Sequence, residues 1–239
     1  MYNKESKPKK FRNFYGRLKG KRLRELQQKL LNDQLEKLSI PAVKYEINPD
    51  RKLIELSDLF KNVTSFSLEI GFGGGEHLVY QAERNPNIGF IGCEPYINGV
   101  AMLAGKLSKT ELTNVRIHPG DVRDLFDVLP DDSIDSVYLL YPDPWPKKRH
   151  HRRRFVTSEY LIDLQRVMKT GALLKLATDI PDYVRQSLQE VCKHHFSWTA
   201  TDAQDWRECW SDWMPTRYER KALREGRRPY YLTFEKRES

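Results

Sequence analysis

Four acidic side chains occupy equivalent places in the sequence, each at the end of an apolar run or just after one. Glu69 lies in "LEIGFGGGEHL", Glu94 ends "GFIGCE", Asp121 lies in "HPGDVRD" and Asp143 lies in "YPDPWP". Short apolar runs of this kind are typical of buried strands. The carboxyl ends of neighbouring parallel strands form the edge at which open α/β sheets bind ligands. We therefore expect the four carboxylates to surround one site, which would suit a positively charged ligand.

A glycine-rich loop follows the first of these runs and opens a predicted helix. Gly71, Gly73 and Gly75 allow a tight turn and let a ligand lie against bare backbone. A dinucleotide site requires G-x-G-x-x-G or a close variant, but Glu76 stands where the third small residue belongs. An acid disfavours a pyrophosphate here, whereas it suits S-adenosylmethionine, which carries a sulfonium and an α-ammonium group.

The next two acids fit the same ligand. Glu94 can accept hydrogen bonds from both ribose hydroxyls, and Asp121 can accept one from the exocyclic amine of adenine. Together with the loop spacing, these acids favour a class I methyltransferase over an NAD-type oxidoreductase.

Asp143 differs from the other three because it lies between two prolines. Pro142 and Pro144 restrict the backbone, so we expect them to hold this carboxylate in one place beside the cofactor. Trp145 offers a flat face on which a base could stack, although a proline-braced loop with a core tryptophan would look the same in sequence.

These residues can form one site only if a sheet brings the ends of the apolar runs together. Short apolar runs alternate with helical stretches, which predicts a single doubly wound, mostly parallel α/β sheet, the Rossmann-like fold of class I methyltransferases. The last run is predicted to be an antiparallel strand. The predicted strands are 66–71, 89–94, 114–118, 134–140, 172–178 and 229–235, and the predicted helices are 21–38, 75–84, 96–107, 157–168 and 181–194. We expect a basic, mobile arm over residues 1–24 and one domain over residues 25–239.

Positive charge is concentrated in three basic clusters. The formal net charge is +8, and the clusters lie within residues 4–24, 147–154 and 217–228, interleaved with aromatic residues. This arrangement is typical of a nucleic-acid-binding surface. No apolar run approaches a membrane span, and the three cysteines, Cys93, Cys192 and Cys209, suggest neither a disulfide framework nor a standard zinc site. We expect a cytoplasmic protein without a metal, either a monomer or a homodimer.

Several motifs, in this order, resemble those of the tRNA (guanine-N(7)-)-methyltransferase family. They are "LEIGFGGGEHL", "IGCEPY", "YPDPWPKKRHHRRR", "ATD" and "TRYERKALREGR", and "FYGRLKG" resembles the family's basic leader. Two small departures are Pro146, where many members have histidine, and Tyr141, where phenylalanine is usual.

The resemblance implies methyl transfer from S-adenosylmethionine to N7 of a variable-loop guanosine in tRNA, at position 46, with Asp143 as the proposed catalytic group. It also implies three sets of binding residues. The acids Glu69, Glu94, Asp121 and Asp143, with Gly71 and Gly73 of the loop, would bind the cofactor. The residues Lys147, Asp179, Thr216, Arg217, Tyr218 and Glu219 would bind the substrate guanosine, and Lys148, Arg149, His150, His151, Arg152 and Arg153 would bind the RNA.

Elementary chemistry agrees with this allocation. N7 of guanine has a free lone pair, so we expect Asp143 to orient the reactants and stabilise developing charge, not to act as an obligatory base. Asp179 or Glu219 could accept from guanine N1–H and the N2 amine. Two other hypotheses remain at this point: an RNA-binding protein that has lost catalysis, and a methyltransferase of small molecules.

Overall fold

The computed structural model of this chain describes residues 12–238, which form one seven-stranded sheet with helices packed on it. The strand order is β3-β2-β1-β4-β5-β7-β6, and all neighbours are parallel except the pairs that include β7. The strands are β1 (Ser65–Ile70), β2 (Ile88–Cys93), β3 (Val115–His118), β4 (Ile134–Leu140), β5 (Met168–Thr178), β6 (Phe196–Trp198) and β7 (Tyr230–Lys236). The helices are α1 (Glu25–Leu38), α2 (Glu76–Arg84), α3 (Ile97–Leu107), α4 (Val122–Phe126), α5 (Ser158–Val167), α6 (Pro181–Val191), α7 (Gln204–Arg207) and α8 (Arg217–Arg224).

This architecture confirms the predicted doubly wound, mostly parallel sheet. Five predicted strands form its parallel part, and the last run pairs antiparallel with β5, as expected. Among the strands and α-helices, four elements were not predicted: β6 and the helices α4, α7 and α8. The three helices have at most eight residues each and a high share of charged residues, so they lack the long apolar periodicity that identifies a helix in sequence.

The central strands are apolar because helices cover both faces of the sheet. Leu68 of β1, Ile91 of β2 and Val137 of β4 are completely buried. At the same carboxyl edge, β1, β2 and β4 run into loops that carry polar residues. The packed strands therefore act as a rigid base that holds the site loops in fixed relative positions.

The described part of the predicted N-terminal arm is packed against the domain. Residues 12–24 contain no regular secondary structure, yet Arg12 forms salt bridges with Asp124 (3.3 Å) and Asp127 (2.8 Å). Further along, the Leu18 carbonyl accepts from the Ile97 backbone N–H (3.0 Å). Within the described residues, contacts with the domain are thus present from Arg12 onwards, and the boundary at residue 24 stays a prediction. Residues 1–11, which were also assigned to the arm, lie outside the described residues.

Residues 12–238 lack two further features. No helix there is long and apolar enough to cross a membrane. No group of three or more histidine, cysteine, aspartate or glutamate side chains in that range is arranged to hold a metal ion.

Candidate active site

A cavity of about 590 Å³ opens at the carboxyl edge of the sheet, over the ends of β1, β2 and β4. Its volume lies within the usual range for small-molecule sites. Three of the four predicted acids line it together, namely Glu94, Asp121 and Asp143. Gly71 and Gly73 of the glycine loop line it as well. The structure therefore brings together five of the six residues that the sequence predicted around one ligand.

Glu94 is held by main-chain donors at the base of the cavity. Its Oε2 accepts from the Gly73 N–H (2.6 Å) and its Oε1 accepts from the Tyr96 N–H (2.8 Å). Burial raises the pKa of Glu94, the two backbone hydrogen bonds oppose that rise, and the nearby charge of Asp143 adds to it. A buried carboxylate whose negative charge is disfavoured in this way gains most from a cationic ligand.

Glycine is required where the loop and α3 meet. Gly73 has a φ of +57°, and a Cβ on Gly99 at the start of α3 would lie 2.2 Å from the Gly73 carbonyl oxygen. Positive φ values and such close approaches are accessible to glycine and strained for other residues. The two glycines let α3 pack directly on the loop, which positions the Gly73 N–H toward Glu94.

Asp121 lies at the N-terminus of α4 and is bound by one arginine. Asp121 Oδ1 accepts from the Arg123 backbone N–H (2.9 Å), and Oδ2 accepts from the Arg123 guanidinium (2.5 Å). Burial alone would lower the pKa of Arg123, but its hydrogen bonds to Asp121 raise that pKa above its ordinary value. Arg123 also donates to the Asn13 carbonyl (3.0 Å), so it links Asp121 to the N-terminal segment.

Asp143 stands on a backbone segment with unusual dihedral angles on both sides. Tyr141 and Trp145 have φ values of +51° and +41°, in the left-handed region that non-glycine residues rarely adopt. Such conformations persist where the surrounding structure holds them, and they are concentrated at functional sites. Burial by the walls of the cavity raises the pKa of Asp143, although its side chain keeps contact with solvent.

Glu69 does not line the main cavity, which corrects the expectation that all four acids do so. It lines a small adjoining cavity that shares Gly71, Leu140 and Tyr218 with the main one. Its side chain is 4% exposed, and its Oε2 lies 2.8 Å from Nδ1 of His77 on α2. The physical reason is strand alternation: Glu69 points to the side of β1 that α2 covers.

The C-terminal substrate motif is divided between the cavity wall and the interior. Arg217 and Tyr218 line the cavity, while Thr216 caps α8 by accepting from the Glu219 N–H (3.2 Å). Glu219 is 5% exposed and accepts hydrogen bonds from the Trp213 indole N–H (2.7 Å) and the Tyr231 hydroxyl. Both carboxylate oxygens of Glu219 are therefore engaged inside the protein, and its contact with guanine stays a prediction.

Two other predicted substrate residues are outside the cavity wall. Asp179 forms a salt bridge with Arg227 (2.9 Å), and its side chain is 11% exposed. Lys147 is exposed just before a short 3-10 helix over Lys148–Arg153. Their predicted contacts with the guanosine are not tested by these positions.

The basic cluster after Pro146 is divided in the same way. Lys148, Arg149 and Arg152 are exposed, and His150 and His151 are half-buried. Arg153 lines the cavity, with its guanidinium 4.7 Å from the ring centre of Tyr15 and 5.0 Å from that of Trp145. Trp145 therefore already contacts a cation where the sequence predicted a stacking face for a base.

Arg154, the last cation of the cluster, is 1% exposed. It donates to the Pro144 carbonyl (2.8 Å), to Gln186 (2.8 Å) and to Asp182 (2.8 Å). This arginine braces the loop that carries Asp143 and is not available to bind RNA.

The sequence analysis missed the part of the N-terminal segment that lines the cavity. Phe14, Tyr15 and Arg17 belong to its wall. Arg17 also lies 5.8 Å from the ring centre of Tyr96, next to Glu94. The "FYGRLKG" motif was the available signal, but basic residues around it indicated only RNA binding.

Comparisons with known proteins identify relatives over most of the chain. The family described as "Putative methyltransferase" matches residues 64–232. The tRNA (guanine-N(7)-)-methyltransferase of Roseobacter denitrificans is 60% identical over 232 residues, which cover 97% of this chain and 98% of that protein. The protein of the same name from Agrobacterium fabrum is 47% identical over 227 residues, which cover 94% and 95% of the two chains.

Solved structures with a similar fold are more distant in sequence. An antibiotic-related methyltransferase is 18% identical, with a TM-score of 0.56, and the match covers 79% of this chain and 98% of that one. The 16S rRNA methyltransferase KamB is 17% identical, with a TM-score of 0.53, over 77% and 93% of the two chains. These similarities establish the fold.

Proposed function

Because the chain belongs to the tRNA (guanine-N(7)-)-methyltransferase family, we propose that it transfers a methyl group from S-adenosylmethionine to N7 of a variable-loop guanosine in tRNA. The single observation that best supports this assignment is the shared cavity of Glu94, Asp121 and Asp143, with Arg153 of the basic cluster in its wall. A concave site of negative charge next to exposed positive charge matches a cationic methyl donor and a polyanionic acceptor.

The residues of the cavity fit S-adenosylmethionine. Burial raises the pKa values of Glu94 and Asp143, so both carboxylates favour a cationic ligand over water. Each oxygen of Glu94 has one backbone donor and keeps acceptor capacity for a ribose hydroxyl. When bound, the cofactor supplies an electrophilic methyl group on a positively charged sulfur.

The chemistry requires alignment more than proton transfer. Guanine N7 has no proton to remove, so the protein must hold the base in line with the methyl group and near contact distance. The methylated base is cationic, and the carboxylate of Asp143 stabilises the charge that develops on it. The braced loop around Asp143 suits this task, because a preorganised charge needs no reorganisation during the reaction.

The exposed cations would bind the phosphates of the RNA. Lys148, Arg149 and Arg152 stand outside the cavity while Arg153 lines it, so phosphate contacts would bring a base to the cavity mouth. A guanosine held by tertiary pairing must first be exposed, at a cost of a few kcal/mol. Since its substrate is tRNA, we expect the enzyme to act in the cytoplasm.

The alternatives explain less of the molecule. A protein that only binds RNA has no use for three carboxylates collected in one cavity, and a methyltransferase of small molecules has no use for the exposed basic cluster.

Transfer of labelled methyl groups from S-adenosylmethionine to unmodified tRNA tests the proposal. We expect label in one guanosine, followed by strand cleavage at that site under alkaline conditions, and no label in a transcript with adenosine at the same position. Label elsewhere, or none in either transcript, would remove the assignment. Nucleoside analysis of total tRNA from cells that lack the protein is the matching experiment in vivo.

A further inference from the structure

The buried pair of Glu69 and His77 has a fixed direction of hydrogen bonding. His77 is 2% exposed, and its Nδ1 lies 2.8 Å from Glu69 Oε2. Its ring lies 4.7 Å from that of Tyr138 and 5.5 Å from that of Trp213, so the imidazole is enclosed by other rings. Only its two nitrogens can form polar contacts, and which of them carries the proton decides what Glu69 receives.

Gln81, one turn further along α2, settles that question. Its Nε2 lies 3.3 Å from His77 Nε2 and also donates to the Asp212 carbonyl (2.9 Å). Its Oε1 accepts from the Asn85 amide (3.3 Å). These two contacts orient the amide so that an N–H group, and not the carbonyl oxygen, faces His77.

A donor facing His77 Nε2 requires a lone pair on that nitrogen. The proton of the neutral ring is then on Nδ1, from which it is donated to Glu69. Gln81, His77 and Glu69 thus form a chain in which the hydrogen bond from Gln81 to His77 and the one from His77 to Glu69 both run toward the carboxylate. A second proton on Nε2 would face the Gln81 N–H group, so the chain selects against a positively charged imidazole beside Glu69.

We infer that His77 is a positioning residue for Glu69, and that Gln81 sets its tautomer so that the carboxylate is held without being neutralised. This inference rests on the proposed function and adds to it that the small cavity at Glu69 receives the ammonium end of the cofactor. The hydrogen bond to His77 uses Oε2, and a carboxylate has a second oxygen that can accept from an ammonium group. A neutral donor fixes the carboxylate in place and leaves its charge available to a cation.

The first test measures the tautomer of His77 in the unaltered protein. Nitrogen NMR of histidine-labelled protein is expected to give His77 a protonated Nδ1 and a bare Nε2, with the signal assigned by its loss in His77→Phe. The opposite tautomer, or a ring protonated on both nitrogens at neutral pH, would overturn the inference.

The second test compares two substitutions at Gln81. Gln81→Glu places an acceptor against His77 Nε2, which draws a second proton to the ring and puts a positive charge beside Glu69. Calorimetry is expected to show about tenfold weaker binding of S-adenosylhomocysteine, which keeps the ammonium group. Binding of methylthioadenosine, which lacks that group, should not change. Gln81→Met, which removes the polar group at similar size, should change neither affinity by more than about twofold.

The outcomes separate the inference from the function on which it rests. Equal losses in Gln81→Glu and Gln81→Met, or equal losses for both ligands, would show that Gln81 acts only through packing and would overturn the inference. His77→Phe should raise KM for S-adenosylmethionine about tenfold while kcat at saturation is kept; a fall in kcat alone would contradict a positioning role. If the unaltered protein bound no S-adenosylhomocysteine, the proposed function itself would fail.

Discussion

The base and the rim of the cavity are held together by different kinds of contact. At the base, Glu94 is anchored by the backbone N–H groups of Gly73 and Tyr96. At the rim, the loop of Asp143 is braced by the buried side chain of Arg154, and Asp121 by that of Arg123. Main-chain anchors survive most substitutions that preserve the backbone, whereas a rim held by arginines depends on each of those side chains.

This contrast separates two consequences of mutation. A substitution at the base of the cavity should change cofactor binding only through the carboxylate of Glu94. A change at the rim should also act through the loop that the arginine holds, so stability and turnover should fall together. The following predictions test that separation, beginning with the largest expected effect.

Asp143→Asn should lower methyl transfer by about 10²-fold or more, because the charge that opposes the developing cation is lost. Affinity for tRNA should change little, since the exposed cations provide it. Single-turnover kinetics and filter binding measure the two quantities separately. Asp50→Asn is the control, because Asp50 is exposed and lies far from Asp143 in the sequence. This variant should behave like the unaltered protein. Equal losses in turnover and tRNA affinity would contradict the role of Asp143.

Arg154→Met should reduce the free energy of unfolding by about 2–3 kcal/mol, because three hydrogen bonds of a buried cation are lost. Turnover should fall as well, since the Pro144 carbonyl loses its brace. Urea unfolding and single-turnover rates measure both effects. Arg152→Met, two residues earlier and exposed, should leave stability unchanged but weaken tRNA binding. The slope of log K for tRNA against log salt concentration should become shallower by about one. Similar effects of the two substitutions on stability would contradict the division within the basic cluster.

Cofactor affinity should decrease as the pH falls, beginning above the ordinary carboxylate range. The pKa values of Glu94 and Asp143 are raised from 4.5 and 3.8, so both groups take up protons at higher pH than exposed acids and then no longer attract a cation. Each group can weaken binding by at most about tenfold per pH unit below its pKa. Calorimetry with S-adenosylhomocysteine between about pH 7 and pH 4.5 measures this, and an unchanged Kd across the range would contradict it.

The raised pKa values of Glu94 and Asp143 have the opposite effect on stability. A fall in pH weakens cofactor binding, but through these two groups it stabilises the ligand-free protein. In the ligand-free protein the folded state binds these protons more tightly than the unfolded chain does. The contribution of Glu94 and Asp143 to the free energy of unfolding therefore rises as the pH falls through this range.

Arg12→Gln should have the smallest effect. It removes the salt bridges to Asp124 and Asp127 that tie the N-terminal segment to α4, both of which are partly exposed. We expect a loss of about 0.5–1 kcal/mol in cofactor binding, or two- to fivefold in Kd, with the fold unchanged. Calorimetry measures the loss, and Arg22→Gln, an exposed change in the same segment, is the control. A loss of tRNA binding with normal cofactor affinity would show that the segment serves only the RNA.

Adjacent arginines show where sequence analysis was insufficient. Arg152, Arg153 and Arg154 look alike in sequence, but they are respectively exposed, enclosed between two aromatic rings and completely buried. Their environments depend on Tyr15 and on Asp182, which are distant along the chain. Glu69 and Glu219 show the same limit, because their partners His77, Trp213 and Tyr231 are known only once the chain is folded.

The amino-acid sequence by itself determined the fold class, the five parallel strands and three acids of the cavity. Apolar runs, glycine spacing and acids at the ends of strands are local features, and the rules of parallel sheets convert them directly into positions in space. Only the tertiary structure decided which arginines face the cavity, which charged groups are paired inside the protein and which N-terminal residues line the cavity wall. Those outcomes depend on contacts between residues far apart in the chain, for which local periodicity contains no information.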